Sequence, residues 1–261
     1  MLHFLYYIID LVLNKIIFLF FFIIMRYIIS ILLIFIVIIF AFFKHKYNKE
    51  LFENTDILDI YVITLGNKER LENIELQQKK INNKINVFPA VNGKKLDINQ
   101  LKKKYNIKNN RLKLTEIGCY LSHLNIYKKI KQDNNKGYTI IFEDDFLVKS
   151  YNLLYEVKKI ITILNDKNID FDFIFLGNLR NNYAKNVQDN IYNIDNSNKL
   201  FGTHGYVVNN KNIDKIIDKT KIIDRPIDIM IQDLSYKKIF KTFVIKPNLV
   251  IQNNNIKSTI R

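Results

Sequence analysis

The hydrophobic pattern divides the chain into two parts. Residues 16–24 and 27–43 are apolar almost throughout, separated only by Met25 and Arg26. After residue 47, short apolar runs alternate with polar stretches, as in an ordinary soluble domain. Residues 57–65 are β-branched and apolar and predict a first buried strand. Residues 67–84 predict a helix, with Leu71, Ile74 and Ile81 on an otherwise charged surface. Val87-Phe88 predicts a second strand, and Asn92-Gly93 signals a turn. Residues 94–110 are polar and read as irregular, and residues 115–131 predict a helix with Thr115 as its N-cap. Further strands are expected over 138–142, 171–176 and 206–208, with 243–251 closing the sheet. Helices are expected over 151–164, 211–218 and Ile227–Tyr236, and a polar, mobile loop over 180–199. Strands alternating with helices predict an α/β sandwich with a mostly parallel central sheet.

The second apolar stretch is long enough to cross a bilayer core of about 30 Å as a helix. Lys44, His45, Lys46 and Lys49 follow it, with no short apolar region ending in small residues, so an uncleaved anchor is expected rather than a signal peptide. The expected organisation is a membrane anchor over residues 1–47, a polar linker over 48–56 and a folded domain over 57–261. Met25 is an alternative start, because Met-Arg-Tyr before an apolar run has the form of a signal anchor. The more basic C-terminal flank would leave the folded domain on the cytoplasmic face. Two hydrophobic passes in a hairpin would do the same.

Composition narrows the function classes. With 7 Gly and 3 Pro in 261 residues, the chain is neither fibrous nor of low complexity. A net charge of +15 suits an anionic partner such as nucleic acid, a membrane surface or a phosphorylated ligand. Yet the lysines are spread along the whole chain, without an arginine cluster, zinc-finger spacing or aromatic RNA-binding signature, so no nucleic-acid partner is expected. Heavy use of Ile, Asn and Lys fits an AT-rich coding bias. Cys119 is the only cysteine, which excludes an intramolecular disulfide and, on cysteine count, a cysteine-based zinc site. Between Gly118 and Tyr120 it reads as a small packed residue.

The candidate chemistry lies in residues 140–147, Ile-Ile-Phe-Glu-Asp-Asp-Phe-Leu. Glu143, Asp144 and Asp145 stand where a buried strand leaves the sheet, and carboxylates there are costly unless paired. Ligands of such sheets bind beyond the carboxyl ends of the strands. The triplet could hold a hard divalent cation against a diphosphate, supply half of a glycosidase acid pair, or form a solvated turn.

Neighbouring segments add context. In order they are Ile-Tyr-Val-Ile-Thr-Leu (60–65) with Arg70, Phe-Pro-Ala-Val-Asn-Gly (88–93), Leu-Thr-Glu-Ile-Gly-Cys-Tyr-Leu-Ser-His (114–123) and Ile-Phe-Glu-Asp-Asp (141–145). Phe-Leu-Gly (175–177), Gly-Thr-His-Gly-Tyr (202–206) and Pro-Ile-Asp (226–228) follow. This series resembles glycosyltransferase family 25, which includes lipopolysaccharide and lipooligosaccharide galactosyltransferases and collagen hydroxylysine galactosyltransferases. The resemblance implies a GT-A-like fold, a UDP-sugar donor (often UDP-galactose), and a Mn²⁺ or Mg²⁺ ion. The implied acceptor is a glycan, lipooligosaccharide or hydroxylated protein. Glu143 and Asp145 would form the acid-x-acid pair, with Asp145 the direct metal ligand and Asp144 contacting the donor ribose or bracing the loop. Arg70 would favour the departing diphosphate. Ser122, His123, Asn178 and His204 would line the donor site, His204 being an optional third metal ligand. If the enzyme inverts, Asp228 is the expected general base, with Asp233 as a second choice. One departure from the family pattern is Thr64-Leu65 in place of Asn-Leu. The competing expectations are a basic nucleic-acid or membrane-surface binding protein, and a glycosyltransferase-like domain that binds without turnover.

Overall fold

The structure is a computed structural model that describes residues 2–54, 57–109, 111–178, 186–194 and 202–256. The chain divides into two units, Met1–Glu53 and Asn54–Arg261. The first is a single helix, α1 (Leu2–Asn54). Within it, the 27 residues Phe18–Lys44 are long and apolar enough to cross a membrane. The helix runs unbroken through Met25 and Arg26, which removes the hairpin expectation. It also continues through the proposed linker as far as Asn54.

The second unit opens with β1 (Ile57–Thr64), α2 (Lys68–Ile81) and β2 (Asn86–Pro89). A 3-10 turn at Gly93–Lys95, α3 (Ile98–Lys104), β3 (Asn106–Ile107) and α4 (Leu114–Asp133) come next. The middle of the unit holds β4 (Tyr138–Glu143), β5 (Phe146–Val148), α5 (Leu153–Asp166) and β6 (Phe173–Phe175). After β7 (Asn186–Gln188), β8 (Ile191–Asn193) and β9 (Gly205–Asn209) lie α6 (Ile213–Thr220) and β10 (Ile222–Ile223). The chain finishes with α7 (Ile227–Tyr236), β11 (Thr242–Ile245) and β12 (Val250–Gln252).

Eight strands form one sheet in the order β2-β1-β4-β9-β6-β11-β8-β7. The pairings give six strands one direction, with β9 and β8 running against them. The domain is thus mixed α/β with a large, mostly parallel central sheet. Both faces of the sheet are covered. Tyr61, Ile63, Ile141 and Phe173 pack towards α4, α6 and α7. Ile60, Val62, Ile140 and Phe142 pack towards α2 and α5. Burial on both faces explains why β1 and β4 read as continuous apolar runs rather than alternating ones.

Several boundaries depart from expectation. The segment 94–110 is not irregular: it carries α3 and β3, and β3 pairs with β10 outside the main sheet. Helix α4 begins at Leu114, and its first turn is closed by the Lys113 N–H donating to Glu116 Oε2 at 2.8 Å, so Thr115 is not the cap. The expected loop over 180–199 contains the β7–β8 hairpin, which turns through Asp189 and Asn190 with φ of 36° and 70°. Residues 180–185 and 195–199 lie outside the described residues. The expected closing strand is split, because β11 joins the main sheet while β12 turns away to pair with β5.

Candidate active site

Strand β4 ends in the acid triplet at the carboxyl edge of the sheet, beside the ends of β1 and β2. A cleft of about 340 Å³ opens there. Of the residues singled out from the sequence, Arg70, Ser122, His123, Glu143, Asp144 and Asp145 all line it.

The turn after β4 is fastened from below by α2. Asn73 Nδ2 donates to the carbonyls of Asp144 and Phe146, each at 3.0 Å, and Gln77 Oε1 accepts from the Val148 N–H at 3.0 Å. Arg70, on the same helix, makes an ion pair with Asp144, and each side chain is only 7 % exposed. Asp144 is therefore the brace of the turn, and Arg70 is committed to it. The last described segment holds Asp145. Gln252 Nε2 donates to Asp145 Oδ2 at 3.0 Å, and the Asn253 N–H donates to the Asp145 carbonyl at 2.7 Å. Asp145 Oδ1 is buried without a hydrogen-bond partner. Burial and the neighbouring Glu143 charge raise the Asp145 carboxyl above its ordinary range.

Glu143 is held differently. Its Oε1 accepts from Thr203 Oγ1 at 2.5 Å, lies 3.1 Å from His123 Nε2, and takes a weak contact from Cys119 Sγ at 3.8 Å. Burial pushes its carboxyl up, but the bonds from His123 and Thr203 outweigh that and leave it lowered. Behind it a polar line runs into the core. His123 Nδ1 lies 2.7 Å from the Tyr206 hydroxyl, which lies 3.0 Å from that of Tyr127. If Tyr127 donates to Tyr206, Tyr206 donates to His123 and His123 donates to Glu143, one set of protons satisfies all three bonds.

The other wall comes from the segment after β2. The Val91 N–H donates to Ser122 Oγ at 2.8 Å, and Ser122 donates in turn to the Gly118 carbonyl at 2.7 Å. The first bond ties this wall to α4, and the second, within the helix, holds the Ser122 hydroxyl in place to accept it. A Cβ on Gly118 would come within 2.7 Å of the Val91 carbonyl, so only glycine allows the approach.

The remaining expected residues lie outside the lining of this cleft. His204 precedes β9, and its carbonyl accepts from the Glu143 N–H at 3.3 Å. Its ring is buried, with neither nitrogen in a hydrogen bond of ordinary geometry. Burial lowers its pKa, although Glu143 and the Val250 backbone both favour the proton. Asn178 is buried beyond β6, where Asn248 Nδ2 donates to its carbonyl at 3.1 Å. Asp228 lies in the first turn of α7, its carboxylate accepting from the N–H groups of Gly202 at 3.1 Å and Ile229 at 2.9 Å. Burial raises its pKa, and Glu143 adds to the rise. Asp233 is bound in an ion pair with Arg225.

Sequence reasoning missed Thr203, Gln252 and the Asn73–Gln77 pair. Thr203 lies inside the Gly-Thr-His-Gly-Tyr motif (202–206), of which only His204 was assigned a role. The others carry no local signal, since each acts on a turn 70 or more residues away.

Fold and cleft together define an α/β domain with a polar cleft where an acid-ended strand leaves the carboxyl edge of the sheet. The chain belongs to glycosyltransferase family 25: the family model, described as glycosyltransferase family 25 (LPS biosynthesis protein), matches residues 57–231. Procollagen galactosyltransferase 1-A of Xenopus laevis is 28% identical over 119 residues, which are 43% of this chain and 19% of that protein. Procollagen galactosyltransferase 2 of Homo sapiens is 25% identical over 145 residues, 51% of this chain and 23% of that protein. The chain thus spans about a fifth of the length of the curated relatives it matches.

Proposed function

We propose that the chain transfers a sugar, galactose in the first instance, from a UDP-sugar to a hydroxyl of a glycan, lipooligosaccharide or hydroxylated protein. We read the domain as GT-A-like and residues 1–47 as its membrane anchor. The observation that carries the reading is Asp145 Oδ1, a buried carboxylate oxygen without a partner at the edge of a polar cleft. A hard divalent cation satisfies such an oxygen, so the residues fit Mn²⁺ or Mg²⁺, with Asp145 and the remaining oxygen of Glu143 as its holders. When bound, the ion supplies neutralisation of the negative charge that grows on the departing diphosphate.

The chain's own residues supply the rest. Arg70, locked against Asp144, lends the cleft a fixed positive group. Ile63, Leu65, Ala90 and Val91 give an apolar wall for a base, and Asn67, Asn92 and Lys94 give polar contacts for a nucleoside diphosphate. Asp228 lies outside the lining of the cleft but near enough to Glu143 to feel its charge; raised in pKa and oriented by two N–H groups, it is the proposed base for an acceptor hydroxyl approaching from beyond Glu143. The freed oxygen bonds the anomeric carbon, the bond to the diphosphate oxygen breaks, and its electron pair leaves with UDP. A single displacement of this kind inverts the anomeric centre.

The test is UDP release by the full chain in detergent, screened over UDP-sugars with Mn²⁺ and candidate acceptors. Asp145→Asn should abolish metal-dependent transfer while the fold survives. Equal turnover in that variant and in chelator would remove the metal assignment. Salt-sensitive nucleic-acid binding without donor binding would replace the whole reading with that of a basic binding protein.

A further inference from the structure

The same cleft contains a second donor set, different in character from the acid turn. Cys119 Sγ, His123 Nε2 and a Glu143 oxygen lie within 4.8 Å of one another. Cys119 and His123 are four residues apart on α4 and so share one face of the helix, opposite the end of β4. Counting cysteines excluded a zinc site built from several of them, but not a mixed one.

The spacing can be checked against coordination geometry. Bonds of about 2.0–2.3 Å at a tetrahedral centre place neighbouring ligand atoms roughly 3.3–3.7 Å apart. The His123–Glu143 and Cys119–Glu143 separations are 3.1 and 3.8 Å, within a few tenths of an ångström of that range, and the third separation is below 4.8 Å. All three residues line the cleft, which leaves a fourth position open to it. The far nitrogen of His123 is already fixed by Tyr206 at 2.7 Å, the kind of outer contact that orients a ligating imidazole. Burial pushes the Cys119 thiol pKa up, and the negative charges of Glu143, Asp228 and Asp145 add to the rise; the same charges draw a cation, whose bond to sulfur must displace the proton.

We propose that Cys119, His123 and Glu143 bind a borderline-soft divalent cation of the zinc class, and that its binding withdraws Glu143 from the acid turn and blocks transfer. The thiol proton passes to solvent as the sulfur–metal bond forms, and the neutral imidazole binds through Nε2 in the tautomer that carries its proton on Nδ1 and donates it to the Tyr206 hydroxyl, reversing the tyrosine hydrogen bonds. Mg²⁺ and Mn²⁺ prefer oxygen ligands, so the two sites differ in the ions they select and compete through Glu143. The blocking of transfer rests on the transferase reading above; the binding does not.

The decisive measurement is Co²⁺ titration of the full, untagged chain in detergent without Mn²⁺. Cys119 is the only cysteine, so thiolate-to-cobalt charge-transfer absorption can arise from it alone. One equivalent should saturate the band, and Zn²⁺ should displace it. Cys119→Ser should abolish it, and His123→Gln and Tyr206→Phe should weaken binding about tenfold or more. Asp145→Asn should retain it. No band in the wild-type chain, or an unchanged midpoint in a folded His123→Gln variant, would overturn the site. Should Cys119→Ser fail to fold, the wild-type band and its displacement by Zn²⁺ still decide. The readout is absorption, so a missing band leaves the transferase reading intact, and a chain without transferase activity can still show it. In the transfer assay, Zn²⁺ should inhibit the wild-type chain at least tenfold more strongly than Cys119→Ser. Equal inhibition would separate the ion from the blocking of transfer.

Discussion

Replacing Arg70 with Leu breaks the buried ion pair that braces the acid turn. Both members of the Arg70–Asp144 pair are 7 % exposed, so little water can screen the charge left behind. Removing one partner of a buried pair costs about 3–5 kcal/mol, because the survivor stays desolvated and uncompensated. Against a domain stability of roughly 5–15 kcal/mol, that is a large share. At about 2–4 °C per kcal/mol for a domain of this size, the midpoint should fall by roughly 6–20 °C. Thermal and urea unfolding of the full chain in detergent, followed by near-ultraviolet circular dichroism of the tyrosines, read the shift in midpoint and the loss in free energy. The double variant Arg70→Leu/Asp144→Leu supplies the control. A buried pair replaced by apolar groups is often neutral or better, so the double variant should recover most of the loss. Its donor affinity should stay low, since the brace of the acid turn is gone. A loss below about 1 kcal/mol in the single variant, the range of a surface pair, would refute the claim that this pair is sequestered.

Gly118→Ala should cost about 1–3 kcal/mol as an overpacking change. It should also weaken donor binding, because the wall at Val91 must move; a melt and a UDP titration test both, and unchanged affinity counts against the wall. Asp228→Asn should lower turnover by about 10²–10⁴-fold while sparing donor affinity, and a near-wild-type rate would exclude it as the base. Asp172 precedes β6, fully buried, with Lys215 Nζ at 2.7 Å and the Lys241 N–H at 2.8 Å. Burial still raises its carboxyl pKa, against the pull of Lys215 and the Lys241 N–H. The folded state therefore holds that proton more tightly than the unfolded chain. The stability this adds is complete below the ordinary carboxylate pKa of about 3.9 and is lost as pH rises through the folded value. Asp172→Asn should flatten the stability curve across that window, and an unchanged slope in urea titrations would contradict the assigned cause.

What the sequence revealed followed from physical range. The strands at β1 and β4 were legible because burial on both faces writes a continuous apolar run. Helix α7 was legible from Pro226 and the residues after it, and its bounds match the expected 227–236. The two- and three-residue strands β3, β5, β8 and β10 were hidden, since so few residues carry no period and each depends on a distant partner, whereas β6, equally short, was legible within the apolar run 171–176. The acid triplet stood out as carboxylates at the end of an apolar strand. Which acid pairs with which neighbour did not: the turn is fixed by Arg70, Asn73 and Gln252, whose roles come from the fold. Thr115 had the right chemistry for a cap, but Glu116 reached the Lys113 N–H and set the start of the helix one residue earlier.

The splitting of the closing strand bears on the order in which the protein matures. All eight strands of the main sheet lie at or before Ile245. The groups that seat Asp145 come later, Gln252 being 107 residues downstream of it. Synthesis proceeds from the N-terminus, so the sheet can assemble before its acid turn is secured. A product cut short after Ile245 would keep the strands of the sheet but lack the two contacts that hold Asp145. The short ribbon of β5 and β12 thus secures the acid turn only after every strand of the main sheet has been synthesised.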